Sequence, residues 1–251
     1  MNQIRNASSS ISEEQNLLIN LAQFIPQFLK KIKKKVRTSY LVYIKKDDFS
    51  IQVKKWFSDN GDVTLRLEYP QLNENSVVFD LGGYLGDFAY QINKKYGCTV
   101  YIFEPHPEFS KKCVQRFSEN PKVKTLCYGI SEKDGFFDLV DEKNSSSFHK
   151  SSGGHKAPIR CQVKEFRSVV SELGITNIDL MKINIEGGEY PLMQHIIDFG
   201  IVDLVDEYQI QFHNFIGNSR LKRNKIIEGL QHSHRQTWCY EFVWENWKRF
   251  N

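Results

Sequence analysis

From residue 75 onward the chain alternates short apolar segments with amphipathic ones, and this alternation limits the fold more than any other feature. Five apolar segments have the length of buried strands: Ser76–Leu81, Thr99–Glu104, Lys122–Ile130, Ile178–Ile185 and Leu204–His213. Helical patterns lie between them, beginning near Gly86 and covering Pro107–Phe117, Glu165–Leu173, Tyr190–Phe199 and Arg220–His232. Strands that alternate with helices form a parallel sheet with helices on both faces. We therefore predict an α/β, doubly wound, mostly parallel sheet, with further strands near Phe136–Val140 and Thr237–Trp244.

Residues 1–70 lack this alternation, and we predict that they form an extension to a single domain over residues 71–251. Within the extension, Ile11–Lys35 has a helical pattern with a break at Pro26, and the alternating Val63–Glu68 predicts a half-buried strand. The run Lys30–Arg37 is strongly basic. It is either a solvated helix face or a basic amphipathic segment that makes a peripheral contact with an anionic membrane surface or a partner.

Composition excludes several classes of protein. Lys and Arg total 34 against 30 for Asp and Glu, a net charge of +4, which gives no support for a nucleic-acid partner. Five scattered cysteines without a CxxC pair indicate reduced thiols and a cytoplasmic protein. The apolar stretch Leu17–Leu29 is interrupted by polar residues and is too short to cross a bilayer. We expect a cytoplasmic location, with peripheral membrane contact as the alternative; the sequence predicts no oligomeric state.

The first predicted strand ends in a glycine-rich loop, DLGGYLGD, that is typical of a cofactor site. In parallel α/β sheets, ligands bind beyond the carboxyl ends of the strands. Gly82, Gly83 and Gly86 allow a sharp turn and a close approach of the backbone to a ligand. The spacing is Asp-x-Gly-x-x-x-Gly and not GxGxxG, and Asp80 and Asp87 bracket the loop, so their charges would repel a pyrophosphate. S-adenosyl-methionine, with its ammonium and sulfonium charges, fits better than a dinucleotide; a turn without a ligand is the alternative.

The ends of the next two strands supply further candidates. Glu104 ends the second strand, where an acid can accept hydrogen bonds from both hydroxyls of an adenosine ribose. Pro105 fixes the exit of the chain after it, and Ile130 ends the third predicted strand. We predict that all three residues contact the cofactor. A surface carboxylate is the alternative interpretation of Glu104.

Five separated segments, in order, resemble the FkbM family of class I methyltransferases: VVFDLGGYLGDFA, VYIFEPHPE, IDLMKINIEGGEY, QIQFHNF and YEFVWENWKRF. The resemblance implies a Rossmann-like, seven-stranded domain and S-adenosyl-methionine-dependent methylation, usually of a hydroxyl oxygen. Similar proteins are common in bacterial gene sets for surface polysaccharides, so the leading acceptor is a sugar hydroxyl. Polyketides and other small molecules are the alternative acceptors, and a non-catalytic subunit of a glycan-assembly complex is the alternative from another class.

Two departures from the family pattern affect the chemistry. The segment Lys182–Gly187 reads KINIEG, with Asn184 where the family usually has Asp, and Gln211 stands in place of a frequent Glu. An amide can hold the methionyl end of the cofactor by hydrogen bonds but is a poor ligand for a hard cation, so we predict no metal. His213, at the end of the fifth strand, is the predicted general base. Glu186 is the rival base, provided that burial raises its pKa.

Overall fold

The computed structural model describes residues 47–139 and 158–250. The chain divides into two compact units, one that ends at Lys54 and one that begins at Lys55. In the first unit the described residues include the start of helix α1 (Asp48–Ser58), where the backbone N–H of Ser50 donates to the carboxylate of Asp47. The domain boundary near residue 70 stays a prediction. The predicted helix Ile11–Lys35, the basic run Lys30–Arg37 and the polar loop around residues 145–156 lie outside the described residues.

The elements of the second unit follow the predicted alternation of strand and helix. After a single helical turn, α2 (Gly61–Thr64), they are β1 (Val77–Leu81), α3 (Asp87–Tyr96), β2 (Thr99–Phe103), α4 (Pro107–Arg116), β3 (Val123–Leu126), β4 (Gly129–Ser131), β5 (Gly135–Leu139), β6 (Ile159–Glu165), α5 (Phe166–Glu172), β7 (Leu180–Ile183), α6 (Glu189–Asp198), β8 (Glu207–Ile210), α7 (Ser219–Leu230), β9 (His234–Tyr240) and β10 (Trp244–Arg249).

The main sheet has seven strands in the order β3-β2-β1-β7-β8-β10-β9. The first five of these are parallel, and β10 pairs antiparallel with both β8 and β9. The predicted fold, a doubly wound and mostly parallel seven-stranded sheet, is therefore confirmed. The chain leaves β1 toward β2 on one side and returns through β7 on the other, so the topological switch point lies between β1 and β7.

The strand residues alternate between two hydrophobic cores, one on each face of the sheet. In β1, Phe79 and Leu81 belong to the core that α6 and α7 cover, and Val78 belongs to the core beneath α3 and α4. Because side chains along a strand alternate between faces, Asp80 shares the face of Val78. Lys182 on β7 is the register partner of Asp80. It lies on the same face, because Leu180, two residues before it, packs in the same core as Val78. The pairing register alone places a carboxylate opposite an ammonium group inside the sheet.

A second, smaller sheet has the order β4-β6-β5, with β6 parallel to β4 and antiparallel to β5. The single strand predicted over Lys122–Ile130 is thus divided between β3 of the main sheet and β4 of the small one. Strand β6 was not among the predicted strands. The predicted strand near Thr237–Trp244 is wrong in extent, because a turn at Phe242, with φ 61°, separates β9 from β10.

The strand predicted over Val63–Glu68 is wrong. Asn60 adopts the left-handed conformation with φ 53°, and its carbonyl accepts hydrogen bonds from the N–H groups of Val63 and Thr64. These local bonds close the helical turn α2, and turn residues follow it. The alternation of Leu65 and Leu67 with polar residues reflects partial burial of a turn and not a pleated strand. Within the described residues no helix is long and apolar enough to cross a membrane.

A buried ion pair joins α7 to β10. The Nε and Nη2 atoms of Arg223 donate to the two carboxylate oxygens of Glu245 at 2.9 and 2.7 Å, and both residues are buried. We expect Arg223→Met to lower the free energy of unfolding by about 3–5 kcal/mol, because it leaves the Glu245 carboxylate buried without its partner. Arg220→Met is the control, since the exposed Arg220 lies 3.7 Å from Glu241 and a surface pair contributes little. Urea denaturation measures both variants, and equal stability would contradict this assessment.

Candidate active site

A cavity of about 670 Å³ opens beyond the carboxyl ends of β1, β2 and β7, at the switch point of the main sheet. The small sheet forms one of its walls through residues of β4, β5 and β6. Six of the residues predicted for the site line it: Gly82, Glu104, Pro105, Ile130, Asn184 and Glu186. The other predicted residues, Asp80, Gly83, Gly86 and His213, are not among the residues that line it.

Glu104 is held with its carboxylate at the cavity wall. Its Oε2 accepts a hydrogen bond from the backbone N–H of Tyr84 at 2.7 Å, and its Oε1 accepts one from that of His106 at 2.9 Å. Burial raises the pKa of the Glu104 carboxyl above its ordinary value, although the two N–H groups act against this. Each oxygen of a carboxylate can accept more than one hydrogen bond, so Glu104 is fixed in place and still able to receive ligand hydroxyls.

Lys182 was not predicted as a site residue, yet it organises the glycine-rich loop. Its Nζ donates to Asp80 Oδ1 at 2.8 Å and to the backbone carbonyls of Gly82 and Leu81 at 2.9 and 3.3 Å. Asp80 is fully buried and Lys182 nearly so. The ion pair therefore neutralises Asp80 and fixes the strand end from which the loop begins.

This pairing corrects the charge argument made from the sequence. Asp80 is paired with Lys182, and Asp87 lies 2.6 Å from Arg116. The two carboxylates do not act as free negative charges around the loop, so their repulsion does not exclude a pyrophosphate. The choice of cofactor has to rest on other features.

Two buried oxygens at this end of the sheet lack donors within the described residues. They are Oδ2 of Asp80 and Oδ1 of Asn184. Buried polar atoms normally have hydrogen-bond partners, so both positions suit a ligand that brings donors. The ammonium group of S-adenosyl-methionine is such a donor, and the residues present therefore fit this cofactor.

The glycines of the loop are required by the packing of the chain itself. Gly82 has φ +76°, and a side chain there would collide with the backbone carbonyl of Asn184. Gly83 lies against Ile102, and Gly86, with φ +78°, lies against the ring of Phe117. Of the three, Gly82 lines the cavity. The approach of its backbone to a cofactor stays a prediction, and a substitution at Gly82 would disturb the junction of β1 and β7 as well.

An aromatic group next to Glu104 forms a further wall that the sequence analysis missed. The ring of Phe109 lies 4.5 Å from that of Tyr84 and 4.3 Å from the imidazole of His106, and all three residues line the cavity. Tyr84 is half exposed and adopts φ 52°. No motif signals this cluster, because its members come from the loop after β1 and from the start of α4.

His213 is held in a fixed orientation by a residue whose role was not predicted, Glu189. The Nδ1 atom of His213 lies 3.0 Å from Glu189 Oε1, which also accepts the His213 backbone N–H at 2.9 Å. Glu189 Oε2 accepts the N–H of Gly187 at 2.7 Å, and the side chain is completely buried. A carboxylate in this position acts as acceptor, so Nδ1 carries the proton and Nε2 keeps its lone pair.

The opposite side of the imidazole faces Glu186, which lies at the cavity. His213 Nε2 is 3.6 Å from Glu186 Oε2. Burial lowers the pKa of His213, but the hydrogen bond and charge of Glu189, together with the charge of Glu186, outweigh this effect, and the pKa is raised above 6.5. Glu186 itself is 75% exposed, so the burial that was the condition for its role as the base is not met.

Metal ligands do not converge at this site. Among residues 47–139 and 158–250, no group of three or more His, Cys, Asp or Glu side chains could hold a metal ion. Metal independence itself stays a prediction.

A family model described as "Methyltransferase FkbM domain" matches residues 80–232. No curated protein matches the chain. Among solved structures, the alignment with the fibrillarin/Nop5p complex covers 78% of this chain and 82% of the chain in that structure, with 11% sequence identity and a TM-score of 0.46. The fibrillarin of Aeropyrum pernix, solved with S-adenosyl-methionine, covers 73% and 70% at 8% identity and TM-score 0.42. An rRNA methylase of Streptococcus thermophilus covers 72% and 90% at 12% identity and TM-score 0.39.

The structural likenesses are too distant to support an inference about function. The family model, in contrast, spans more than half of the chain, and its range contains the glycine-rich loop, Glu104, Glu189 and His213. The predicted membership and the predicted cofactor are both confirmed. The chain belongs to the FkbM family of methyltransferases, whose cofactor is S-adenosyl-methionine.

Proposed function

We propose that this protein is an O-methyltransferase that methylates a sugar hydroxyl in surface polysaccharide biosynthesis, with His213 as general base. The observation that carries the proposal is the pairing of the buried Glu189 with the partly buried His213 beside the cavity. A buried carboxylate that fixes one imidazole nitrogen leaves the other free to accept a proton. That arrangement suits an acceptor such as a hydroxyl, which must lose its proton during methyl transfer.

The cofactor is proposed to bind along the wall formed by the ends of β1, β2 and β7. Glu104 would accept the ribose hydroxyls, with Pro105 and Ile130 as its apolar neighbours in the lining. Asp80 Oδ2 and Asn184 Oδ1 would accept hydrogen bonds from the ammonium group of the methionyl end. When bound, S-adenosyl-methionine supplies an electrophilic methyl group.

The residues around His213 would divide the remaining work. Nε2 of His213 takes the proton from the acceptor hydroxyl. Nδ1 stays protonated and donates its hydrogen bond to Glu189. The charge of Glu189 stabilises the imidazolium that results. Glu186, exposed and 3.6 Å from Nε2, is placed to accept a hydrogen bond from another hydroxyl of the acceptor and is not needed as the base.

A non-catalytic subunit is the competing function, because Asn184 and Gln211 are neutral where the family is often acidic. Against it, the buried Glu189 carboxylate accepts three N–H groups, two of them from His213, and so holds the imidazole in one orientation beside the cavity-lining Glu186. A polyketide or another small molecule remains the competing acceptor. Peripheral contact of Lys30–Arg37 with an anionic membrane is part of the proposal if the acceptor is lipid-linked.

Glu104→Ala tests the cofactor site. We expect the dissociation constant for S-adenosyl-methionine to rise by the equivalent of about 1.5–3 kcal/mol, the contribution of hydrogen bonds to a charged group. Because the pKa of Glu104 is raised, wild-type affinity should fall as the pH drops through a value above 4.5, where the carboxylate is protonated. Isothermal titration measures both effects, with the exposed Glu108→Ala as control. An unchanged affinity would show that Glu104 does not bind the ribose.

His213→Gln tests the base. We expect kcat to fall about 10²–10⁴-fold, the usual contribution of general base catalysis, with little change in cofactor affinity. The matched control is His195→Gln, since His195 also pairs with a carboxylate, Glu165, at 2.6 Å but does not line the cavity. If the His213 variant keeps the wild-type rate, His213 is structural.

Glu189→Gln tests the positioning of that base. A base accepts a proton in its neutral form, so the rate should rise with pH through the pKa of His213, which lies above 6.5 in the wild type. Without the charge of Glu189 that pKa falls, so the acid limb of the pH–rate profile should move to lower pH while kcat drops about 10-fold or more. NMR titration of the His213 ring gives the same pKa independently of turnover. A limb that does not move would contradict the role of Glu189.

Chelation tests the absence of a metal requirement. With Asn184 in place of the usual Asp, we expect methyl transfer to continue at an unchanged rate in EDTA, because an amide is a poor ligand for a hard cation. Loss of turnover in EDTA that magnesium restores would overturn this expectation.

A further inference from the structure

An exposed phenylalanine lies next to the proposed base. Phe215 follows His213 by two residues, is 64% exposed, and its ring centroid lies 5.3 Å from that of the imidazole. The next residue, Ile216, packs against Gly187 in the turn that carries Glu186. The loop is therefore anchored to the turn at the cavity, and Phe215 projects from it beside the place where an acceptor hydroxyl would meet His213.

Two other exposed phenylalanine rings have a guanidinium over one face, and Phe215 differs from these two. The exposed Phe136 carries the guanidinium of Arg160 at 4.5 Å, and the exposed Phe199 carries that of Arg167 at 3.9 Å. Within residues 47–139 and 158–250, no such cation lies over Phe215. Single exposed apolar side chains are common on protein surfaces, but this one adjoins a partly buried histidine that Glu189 holds in one orientation.

We infer that Phe215 is the platform on which the acceptor stacks, and that it selects a pyranose ring. The inference rests on the proposed function and makes its acceptor more specific. The face of an aromatic ring carries partial negative charge and attracts the partly positive C–H groups of an apolar surface. One face of a pyranose offers several such C–H groups in a plane, while the hydroxyls project from its rim.

A ring stacked on Phe215 would have its rim close to the imidazole of His213. A six-membered sugar over Phe215 is about as wide as the phenyl ring, so one hydroxyl at its rim lies toward the neighbouring imidazole. Nε2 is the imidazole nitrogen that Glu189 leaves free. A hydroxyl on the same rim can reach the exposed carboxylate of Glu186, 3.6 Å from Nε2. Phe215 thus supplies affinity and orientation, and the two polar groups select the hydroxyl.

The experiment measures acceptor binding separately from cofactor binding and from turnover. The protein is saturated with S-adenosyl-homocysteine, and NMR titration follows the binding of methyl pyranosides of glucose, galactose, mannose and rhamnose. Sorbitol, a linear polyol without a flat apolar face, and methyl 4-hydroxybenzoate, a flat phenol, are the comparison probes. The variants are Phe215→Ala, Phe215→Trp and, as the matched control, Phe199→Ala.

We expect at least one pyranoside to bind the wild type and sorbitol not to bind. Phe215→Ala should weaken the affinity for that pyranoside about 10-fold. Phe215→Trp should retain the wild-type affinity, and Phe199→Ala should leave the affinity unchanged. Affinity for S-adenosyl-homocysteine should be equal in all variants.

Equal pyranoside affinity in wild type and Phe215→Ala overturns the platform, and it leaves the proposed function intact if that pyranoside is methylated. If methyl 4-hydroxybenzoate binds and no pyranoside does, the acceptor is not a sugar, and both the proposed function and the role of Phe215 in binding a pyranose are overturned. Absence of pyranoside binding to the wild type, with no methyl transfer to any pyranoside, overturns the platform and the proposed sugar acceptor together.

Discussion

The buried ion pair of Lys182 and Asp80 is the interaction on which the geometry of the site depends. It joins β1 to β7 at the switch point of the sheet, and the same ammonium group binds the carbonyls of Leu81 and Gly82. A buried charge without a partner is strongly destabilising, so substitution of either side chain alone would destabilise the protein. The pair therefore fixes the start of the glycine-rich loop and leaves one buried oxygen of Asp80 without a donor among the described residues.

A second buried carboxylate, Glu189, connects the turn after β7 to the chain leaving β8. It accepts the N–H of Gly187, the N–H of His213 and the imidazole Nδ1, so one side chain sets both the backbone and the ring of His213. The sequence predicted His213 as the base and Glu186 as its rival, and Glu189 was not among the predicted site residues. Glu186 adopts φ 53° and is exposed, whereas Glu189, at the start of α6, is directed inward. That difference arises from the conformation of the turn, which no spacing rule describes.

The fold was predictable where burial on both faces gives a continuous apolar strand between helices, as in β1, β2 and β7. It was not predictable where local hydrogen bonds or tertiary pairing overrode the pattern. Val63–Glu68 alternates like a strand, yet the carbonyl of Asn60 closes a helical turn there. Strand β6 reads as polar because its partners lie in a small sheet with little core. The turn between β9 and β10 contains Phe242 with φ 61° in place of the Gly or Asn that would have signalled it.

The proposed reaction transfers a methyl group to a hydroxyl oxygen of a sugar at the switch-point cavity, and His213 takes the proton. Its most direct test is the fate of the methyl carbon. The protein is incubated with S-adenosyl-methionine labelled with ¹³C in the methyl group and with a panel of pyranosides and their nucleotide-linked forms, and the products are followed by heteronuclear NMR. We expect a new ¹³C signal with the shift of a methoxy group on one sugar carbon, and we expect His213→Gln to abolish it. A label that enters an N-methyl group, or one that stays on the cofactor with every sugar of the panel, would contradict the proposed reaction.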